Sequence, residues 1–251
     1  MSYFVTPPHT RYDLNFSLAG IPVRVHPLFW LMALLLGFRS GGVVDLLIWV
    51  VAVFFSILVH ELGHSLMMRA FGQDSRILLY MFGGLAMPEA SYRGRGLSAV
   101  SSESKRKILI LLAGPLAGFL LAALIVALVA ALGGLVSMTT LFGIIPLPVA
   151  VFLNGGIINS VINAFLWMNV FWGFVNLMPV YPLDGGQIAR ILFLKADPWD
   201  GLRKSLWLSF VSGIILAIAG FFLFRSSFMA ILFLILALQS YATLRGSGGL
   251  Y

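Results

Sequence analysis

Residues 43–70 read VVDLLIWVVAVFFSILVHELGHSLMMRA, an apolar run that closes on two histidines and a glutamate. From Val43 to Val59 the sole charged side chain is Asp45, near the start. A run of this length marks a membrane helix. His60 and His64 lie on the same helix at spacing i and i+4, so their imidazoles share one face and can bind one metal ion. Ionisable groups at this depth are costly and seldom persist without a partner or a function. The pattern His-Glu-x-x-His has a known mechanism: two metal ligands plus a glutamate that works on the metal's water. With four histidines and three glutamates in 251 residues, a chance match is well under roughly one in a hundred.

Composition supports the same class. The chain is 60% hydrophobic and 10% charged, against about 25% charge in a soluble domain. The apolar residues cluster in long runs, so the chain is a polytopic membrane protein rather than a large soluble core. It has no cysteine, which excludes disulfides and thiolate ligation and leaves nitrogen and oxygen donors for a metal. The net charge of +7 fits an excess of Lys and Arg on cytoplasmic loops. No basic, aromatic-interleaved patch points to nucleic acid. Residues 1–25 lack the apolar core of a cleavable signal peptide, so none is expected.

Working outward, the expected fold is an all-α polytopic membrane protein with about six transmembrane helices and a small membrane-associated β-hairpin between helices two and three. Residues 1–251 form one domain: a surface segment (1–25), a core (26–192) and two final helices (205–244). The first helix runs from His26 to Phe38, with Ile21-Pro22-Val23 extending it, and Arg39-Ser40-Gly41-Gly42 turns the chain into the second. Residues 71–104 are rich in glycine (Gly72, Gly83, Gly84, Gly94, Gly96), with apolar pieces such as Ile77–Phe82 too short to span as helices. They suit strands or a hairpin dipping in from one side. A third helix covers 108–132, behind Lys105-Arg106-Lys107. Residues 133–163, uncharged and holding Pro146 and Pro148, read as an external loop. A fourth helix covers 160–177, and a polar connector with Arg190, Lys195, Asp197 and Asp200 leads to helices five (205–224) and six (227–244).

Charge sets the orientation. Arg76, Arg93, Arg95 and Lys105–Lys107 fall in one connection, and Arg190, Lys195, Arg203 and Lys204 in another, whereas 133–163 has none. Both termini and both basic connections are therefore cytoplasmic, in the membrane of a prokaryotic cell. His60 and His64 then sit in the cytoplasmic half of helix two. Asp184 emerges on the same side.

A hydrolytic zinc site takes three protein ligands and one water. Glu89 and Glu103 lie in the hydrophilic loop, Asp45 at the far end of helix two, and Asp197 and Asp200 in the solvated connector. Asp184 is the exception, in the apolar setting Tyr181-Pro182-Leu183-Asp184-Gly185-Gly186. The prolines stop the helix and the glycines permit backbone conformations that turn the carboxylate inward. The alternative is that Asp184 caps the helix that follows. His26 suits a hydrogen-bonded interfacial role, His9 a solvated one, and Gly114-Pro115 a packing feature.

Three motifs together resemble the site-2 protease family of intramembrane zinc metalloproteases (peptidase family M50). They are His60-Glu61-x-Gly63-His64, the Gly83-Gly84 hairpin, and Asn176-x-x-Pro179-x-x-Pro182-Leu183-Asp184-Gly185-Gly186. The resemblance runs from His26 to about Leu192. It implies a six-helix core, one Zn²⁺ held by His60, His64 and Asp184, and Glu61 as catalytic base. It also implies that Asn176 positions substrate or oxyanion, and that a substrate strand pairs at Gly83 and Gly84. The substrate would be a membrane protein cut within or near its transmembrane segment, in the lipid bilayer. Many relatives carry a PDZ or CBS domain, and here a minimal core is expected. Ala113-Gly114-Pro115-Leu116-Ala117 fits a family pattern that often continues with Asn, where this chain has Gly118.

Two rival readings remain at this level. A prenyl-protein protease type needs a glutamate ligand on a later helix, and no Glu follows Glu103. A transporter or inactive scaffold would use the same His/Asp cluster as an ion site.

Overall fold

The computed structural model describes residues 7–37, 42–81, 83–92, 103–141, 145–223 and 225–247. A hairpin, β1 (Leu14–Leu18) and β2 (Ile21–Val25), precedes a short helix α1 (Pro27–Gly37) and the long α2 (Val43–Ala70). Then come β3 (Gln73–Tyr80), β4 (Gly83–Tyr92) and α3 (Glu103–Ala131). A second hairpin, β5 (Leu135–Leu141) and β6 (Ile145–Val151), leads to α4 (Ile157–Asn176), α5 (Asp184–Ala196), α6 (Gly201–Phe222) and α7 (Ser227–Ser247). The helices α2, α3, α4, α6 and α7 are long and apolar enough to cross a membrane. The chain is a multi-pass integral membrane protein, mostly helical, with a small β region.

Helix α1 departs from the expected first span. Its 11 residues reach roughly 16 Å, about half of the hydrocarbon layer. Ile21–Val23, expected to extend it, belongs to β2. Within the expected surface segment, residues 14–25 form the β1–β2 hairpin. Ile21, Val23 and Val25 are buried while Pro22 and Arg24 between them are not, the period-two alternation of a half-buried strand. The four strands form one sheet in the order β1-β2-β3-β4, with β2 and β3 parallel and the other pairs antiparallel. Its inner face packs Ile21, Val23, Val25, Ile77 and Leu79 on Phe29 of α1 and on Val53, Ile57 and Leu58 of α2.

Local chemistry fixes this sheet to the helices. Ala19 and Gly20 both have positive φ, the requirement of a two-residue hairpin turn matched to strand twist. Arg24 Nε donates to Asp13 at 2.6 Å and the Thr10 hydroxyl at 2.6 Å. The Thr10 hydroxyl foremost, with Arg24, holds the Asp13 carboxyl down at about 2. The clip therefore stays ionised above the usual carboxylate range and is lost only as pH falls toward that value. Arg69, in the last turn of α2, donates to the Ala19 carbonyl at 2.6 Å.

The expected loop 133–163 contains a hairpin instead. Its prolines explain the missed signal. Ala150 N–H donates to Asn163 on α4 rather than to β5, so every second residue of β6 turns its nitrogen away from β5. Pro146 and Pro148 fall on that parity and have no N–H to leave bare. Ala150 and Phe152 give theirs to Asn163 and Asn159, which return bonds to the carbonyls of the same two residues. Most of the polar connector expected after Asp184 is likewise the 13-residue helix α5, with Arg190 half-buried and Lys195 exposed on it. The Lys105–Lys107 run lies inside the start of α3. The expected turn at Arg39–Gly41, with Phe82, Arg93, Gly94, Arg95 and Gly96, lies outside the described residues.

The tether between α4 and β6 yields a test. Asn163→Leu strands the N–H and C=O of Ala150 and is expected to lower stability by about 1–3 kcal/mol per group. Thermal unfolding in detergent checks the loss, and limited proteolysis should place new cuts at 135–151.

Candidate active site

Helix α2 carries His60 and His64 to the same depth, both buried. Their Nε2 atoms face each other at 3.1 Å. Asp184 Oδ2 stands 3.2 Å from His60 Nε2 and 3.4 Å from His64 Nε2. His64 Nδ1 is 2.7 Å from the Ile110 carbonyl of α3. A carbonyl only accepts, so the His64 proton sits on Nδ1 and its Nε2 presents a lone pair. Asp184 Oδ2 is buried and receives no hydrogen bond. Three buried side chains thus bring atoms able to ligate a metal within 3.4 Å of one another, an arrangement that a cation satisfies.

The spacing fits zinc. Bonds of about 2.0–2.1 Å in a tetrahedron put ligand atoms roughly 3.3 Å apart, against 3.1, 3.2 and 3.4 Å here. Among the described residues His60, His64 and Asp184 form the one group of three metal-capable side chains. Gly114 of α3 completes the cradle: a Cβ there would lie 2.3 Å from His64 Nε2 and 2.8 Å from His60 Nε2. The Gly114-Pro115 pair, read from sequence as a packing feature, therefore borders the metal position.

Asp184 does not act as a cap. It is the first residue of α5, and no side chain caps that helix. The glycines behind it also serve otherwise than expected. A Cβ at Gly185 would lie 2.1 Å from the Leu177 carbonyl, and one at Gly186 would lie 2.4 Å from the Tyr181 nitrogen. They let the chain at 177–183 fold back onto the first turn of α5, a close approach rather than an unusual φ. Ser209 of α6 accepts from the Tyr181 N–H at 3.1 Å, and Gln187 donates to the Pro182 carbonyl at 3.0 Å. The turn that leads into Asp184 is thereby clamped from two helices.

Glu61 is buried beside the triad. The Ala86 backbone of β4 hydrogen-bonds its carboxylate, and a Cβ at Gly84 would lie 2.5 Å from Glu61 Cδ. The hairpin expected between helices two and three is the β3–β4 pair between α2 and α3, and its strand β4 touches the glutamate itself. A Cβ at Gly83 would meet Trp172 of α4 at 3.8 Å. Asn176, at the end of α4, is buried and donates from Nδ2 to the Trp172 carbonyl at 3.0 Å. No hydrogen bond joins it to the triad. On the other flank, α3 approaches α2 closely, since a Cβ at Gly63 would lie 2.3 Å from the Ala113 carbonyl.

The remaining candidates are elsewhere. His26 is buried and accepts the Leu28 N–H at 3.2 Å, with its ring edge-on to Tyr80. His9 is exposed near Asp13. Glu103 pairs with Lys107 and Asp197 with Lys204, each at 2.6 Å. Residues 48–219 match the model of peptidase family M50.

The chain belongs to peptidase family M50.

Among curated relatives, zinc metalloprotease MJ0392 of Methanocaldococcus jannaschii is 28% identical over 186 residues, covering 72% of this chain and 45% of the relative. Stage IV sporulation protein FB of Bacillus subtilis is 28% identical over 187 residues, covering 73% of this chain and 52% of the relative. The chain thus spans about half the length of the curated relatives it matches. The site-2 protease from Methanocaldococcus jannaschii shares the fold, with TM-score 0.57 and 20% identity over 93% of this chain and 95% of that one. The sequence motifs missed three structural contributors: the Ile110 carbonyl, the empty face of Gly114 and the Ala86 backbone. A glycine beside a proline inside an apolar helix was the one available signal, and backbone groups leave none.

Gly114→Ala tests the metal cradle. The added methyl would take the space of the ion, so stoichiometric zinc is expected to be lost while the helical circular dichroism is retained. Full zinc by elemental analysis would move the ion away from this face.

Proposed function

We propose that the chain is an intramembrane zinc metalloendopeptidase that hydrolyses a peptide bond within or near the transmembrane segment of a membrane-protein substrate. The observation that carries this reading is the position of Glu61. It is buried against the metal triad yet outside it, and it touches the edge strand β4 through Gly84 and Ala86. An ion-binding site has no need of a carboxylate so placed, whereas peptide hydrolysis needs a base between metal and substrate.

His60, His64 and Asp184 would hold the zinc. Zinc, when bound, supplies Lewis-acid polarisation and lowers the pKa of water to about 7. Glu61 takes the proton of the attacking water and later delivers it to the leaving amine. Asn176 spends one N–H on Trp172, and an amide has two. The second is the donor proposed for substrate or oxyanion. Strand β4 is the sheet edge, with no strand on its far side among the described residues. An extended substrate segment pairs along that edge near Gly83 and Gly84. Such a segment must leave its helix first, which favours substrates weakened by Gly, Pro or Asn.

The basic residues support an orientation. Lys105–Lys107 at the start of α3, Arg190 and Lys195 on α5, and Arg203 and Lys204 at the start of α6 fall at one end of the helices. By the positive-inside rule that end is cytoplasmic, in the membrane of a prokaryote, and the active site opens toward it. A cysteine placed at exposed Leu153 should label from outside, and one at exposed Trp199 only after permeabilisation. Reversed labelling would put the site on the other face.

The second reading, an ion carrier or scaffold, is separated by zinc content and cleavage of a single-span substrate measured on the same purified variants. Glu61→Gln should keep zinc and lose cleavage, and His60→Ala should lose both. Asn176→Ala should keep zinc and slow cleavage by roughly 100- to 1000-fold. An ion site instead predicts that Glu61→Gln changes metal affinity at least as much as Asn176→Ala does.

A further inference from the structure

Asn169, in the middle of α4, is 3% exposed. Its Nδ2 donates to the Ser56 hydroxyl of α2 at 2.9 Å and to the Phe165 carbonyl at 2.9 Å. The carbonyl can only accept, so the orientation of the amide is determined and both of its N–H groups are spent. Its Oδ1 points elsewhere, is buried, and has no hydrogen-bond partner. A buried amide oxygen of this kind calls for a donor.

Asn169 lines a small cavity of about 10 Å³ together with Ser56, His60, Gly118 and Trp172. That volume is close to what one water needs. Gly118 keeps it open, since a Cβ there would come within 3.3 Å of Asn169 Oδ1. His60, one turn from Ser56 on α2, lines the cavity as well. Its Nε2 faces the triad, and its Nδ1, unlike that of His64, meets no protein acceptor among the described residues. Histidine ligands donate their second N–H to an acceptor, which fixes tautomer and ring orientation.

We propose that one buried water in this cavity links His60 to Asn169. It accepts the His60 Nδ1–H and donates to Asn169 Oδ1, with the Ser56 hydroxyl as third neighbour. Asn169 is thus a positioning residue for one metal ligand, held by Ser56 and acting across the space that Gly118 leaves. His64 is oriented by a backbone carbonyl of α3 and His60 by a side chain of α4, so both neighbouring helices set the metal geometry. The inference rests on the metal reading of His60 given above.

The test measures zinc affinity by chelator competition and the unfolding midpoint of the zinc-free protein, on the purified full chain. Asn169→Leu removes the acceptor while keeping the branched heavy-atom skeleton, and is expected to weaken zinc by about 10- to 100-fold, a loss larger than the fall in metal-free stability that comes from the broken Ser56 bond. Gly118→Ala leaves Asn169 in place but fills the cavity, and is expected to act in the same direction should Asn169→Leu fail to fold. Unchanged zinc affinity in the folded variants overturns the proposal. A loss matched by an equal fall in metal-free stability also overturns it, because that marks a packing role. His60→Ala is the control: if it keeps wild-type affinity, the metal reading itself fails. If it loses zinc while the other two variants keep theirs, only the water link is refuted.

Discussion

Three buried electron-pair donors, the Nε2 atoms of His60 and His64 and Oδ2 of Asp184, stand 3.1–3.4 Å apart. Much of the remaining structure exists to keep them there. In a low-dielectric interior such a cluster is unstable by itself, and a divalent cation turns mutual repulsion into coordination. The histidines come from one helix at a spacing fixed by helical geometry. The aspartate arrives more than a hundred residues later, so the chain has to bring a second helix to the same depth and hold its first residue in register. The turn at 177–183 does this by lying on Gly185 and Gly186, with Ser209 and Gln187 fixing its backbone.

Absent side chains are as important as present ones. Within a membrane, helices gain no hydrophobic advantage by touching, and association relies on close packing and hydrogen bonds. Gly63 lets α2 and α3 meet backbone to backbone at Ala113, and the next residue of α3, Gly114, leaves the face of both imidazoles uncovered. The same approach brings the Ile110 carbonyl to His64. Pro115, next to Gly114, removes one rung of the α3 ladder, tolerable where neighbouring helices pack tightly. Gly84 performs the equivalent service on the sheet side, where any larger residue would occupy the space of the Glu61 carboxylate.

What could be read from sequence follows from this division. The five long helices were legible because a membrane span needs a long apolar run, and the His60–Glu61–His64 and Asp184 constellation because charges inside such runs are rare. The two hairpins and α5 were less legible. Strands β1 and β2 are five residues each, too short for alternation to outweigh Pro22 and the charged neighbours. The prolines of β6 argue against a strand until it is seen that they face an edge with no β partner. α5 looked like a connector because Arg190 and Lys195 break its apolar run. Gly114 and Gly118 carry no chemistry of their own, and their part depends on what His64 and Asn169 place against them. A linear reading does not contain that adjacency.

The sheet resolves a tension in the membrane setting. Backbone groups in hydrocarbon have to be satisfied, and an open strand edge is normally a liability. Here β4 is anchored through β3 and β2 to the buried cluster formed with α1 and α2. Its edge position therefore owes nothing to loose packing. The Ala86 backbone already reaches the Glu61 carboxylate, so strand and carboxylate are linked before any other chain arrives. On the proposed reading, a peptide that has left its helix in lipid has lost every internal amide bond, and an unpaired strand edge is what can replace them. The edge that would be a defect in a soluble protein then selects extended backbone, and it does so within contact of the one carboxylate that borders the triad without joining it.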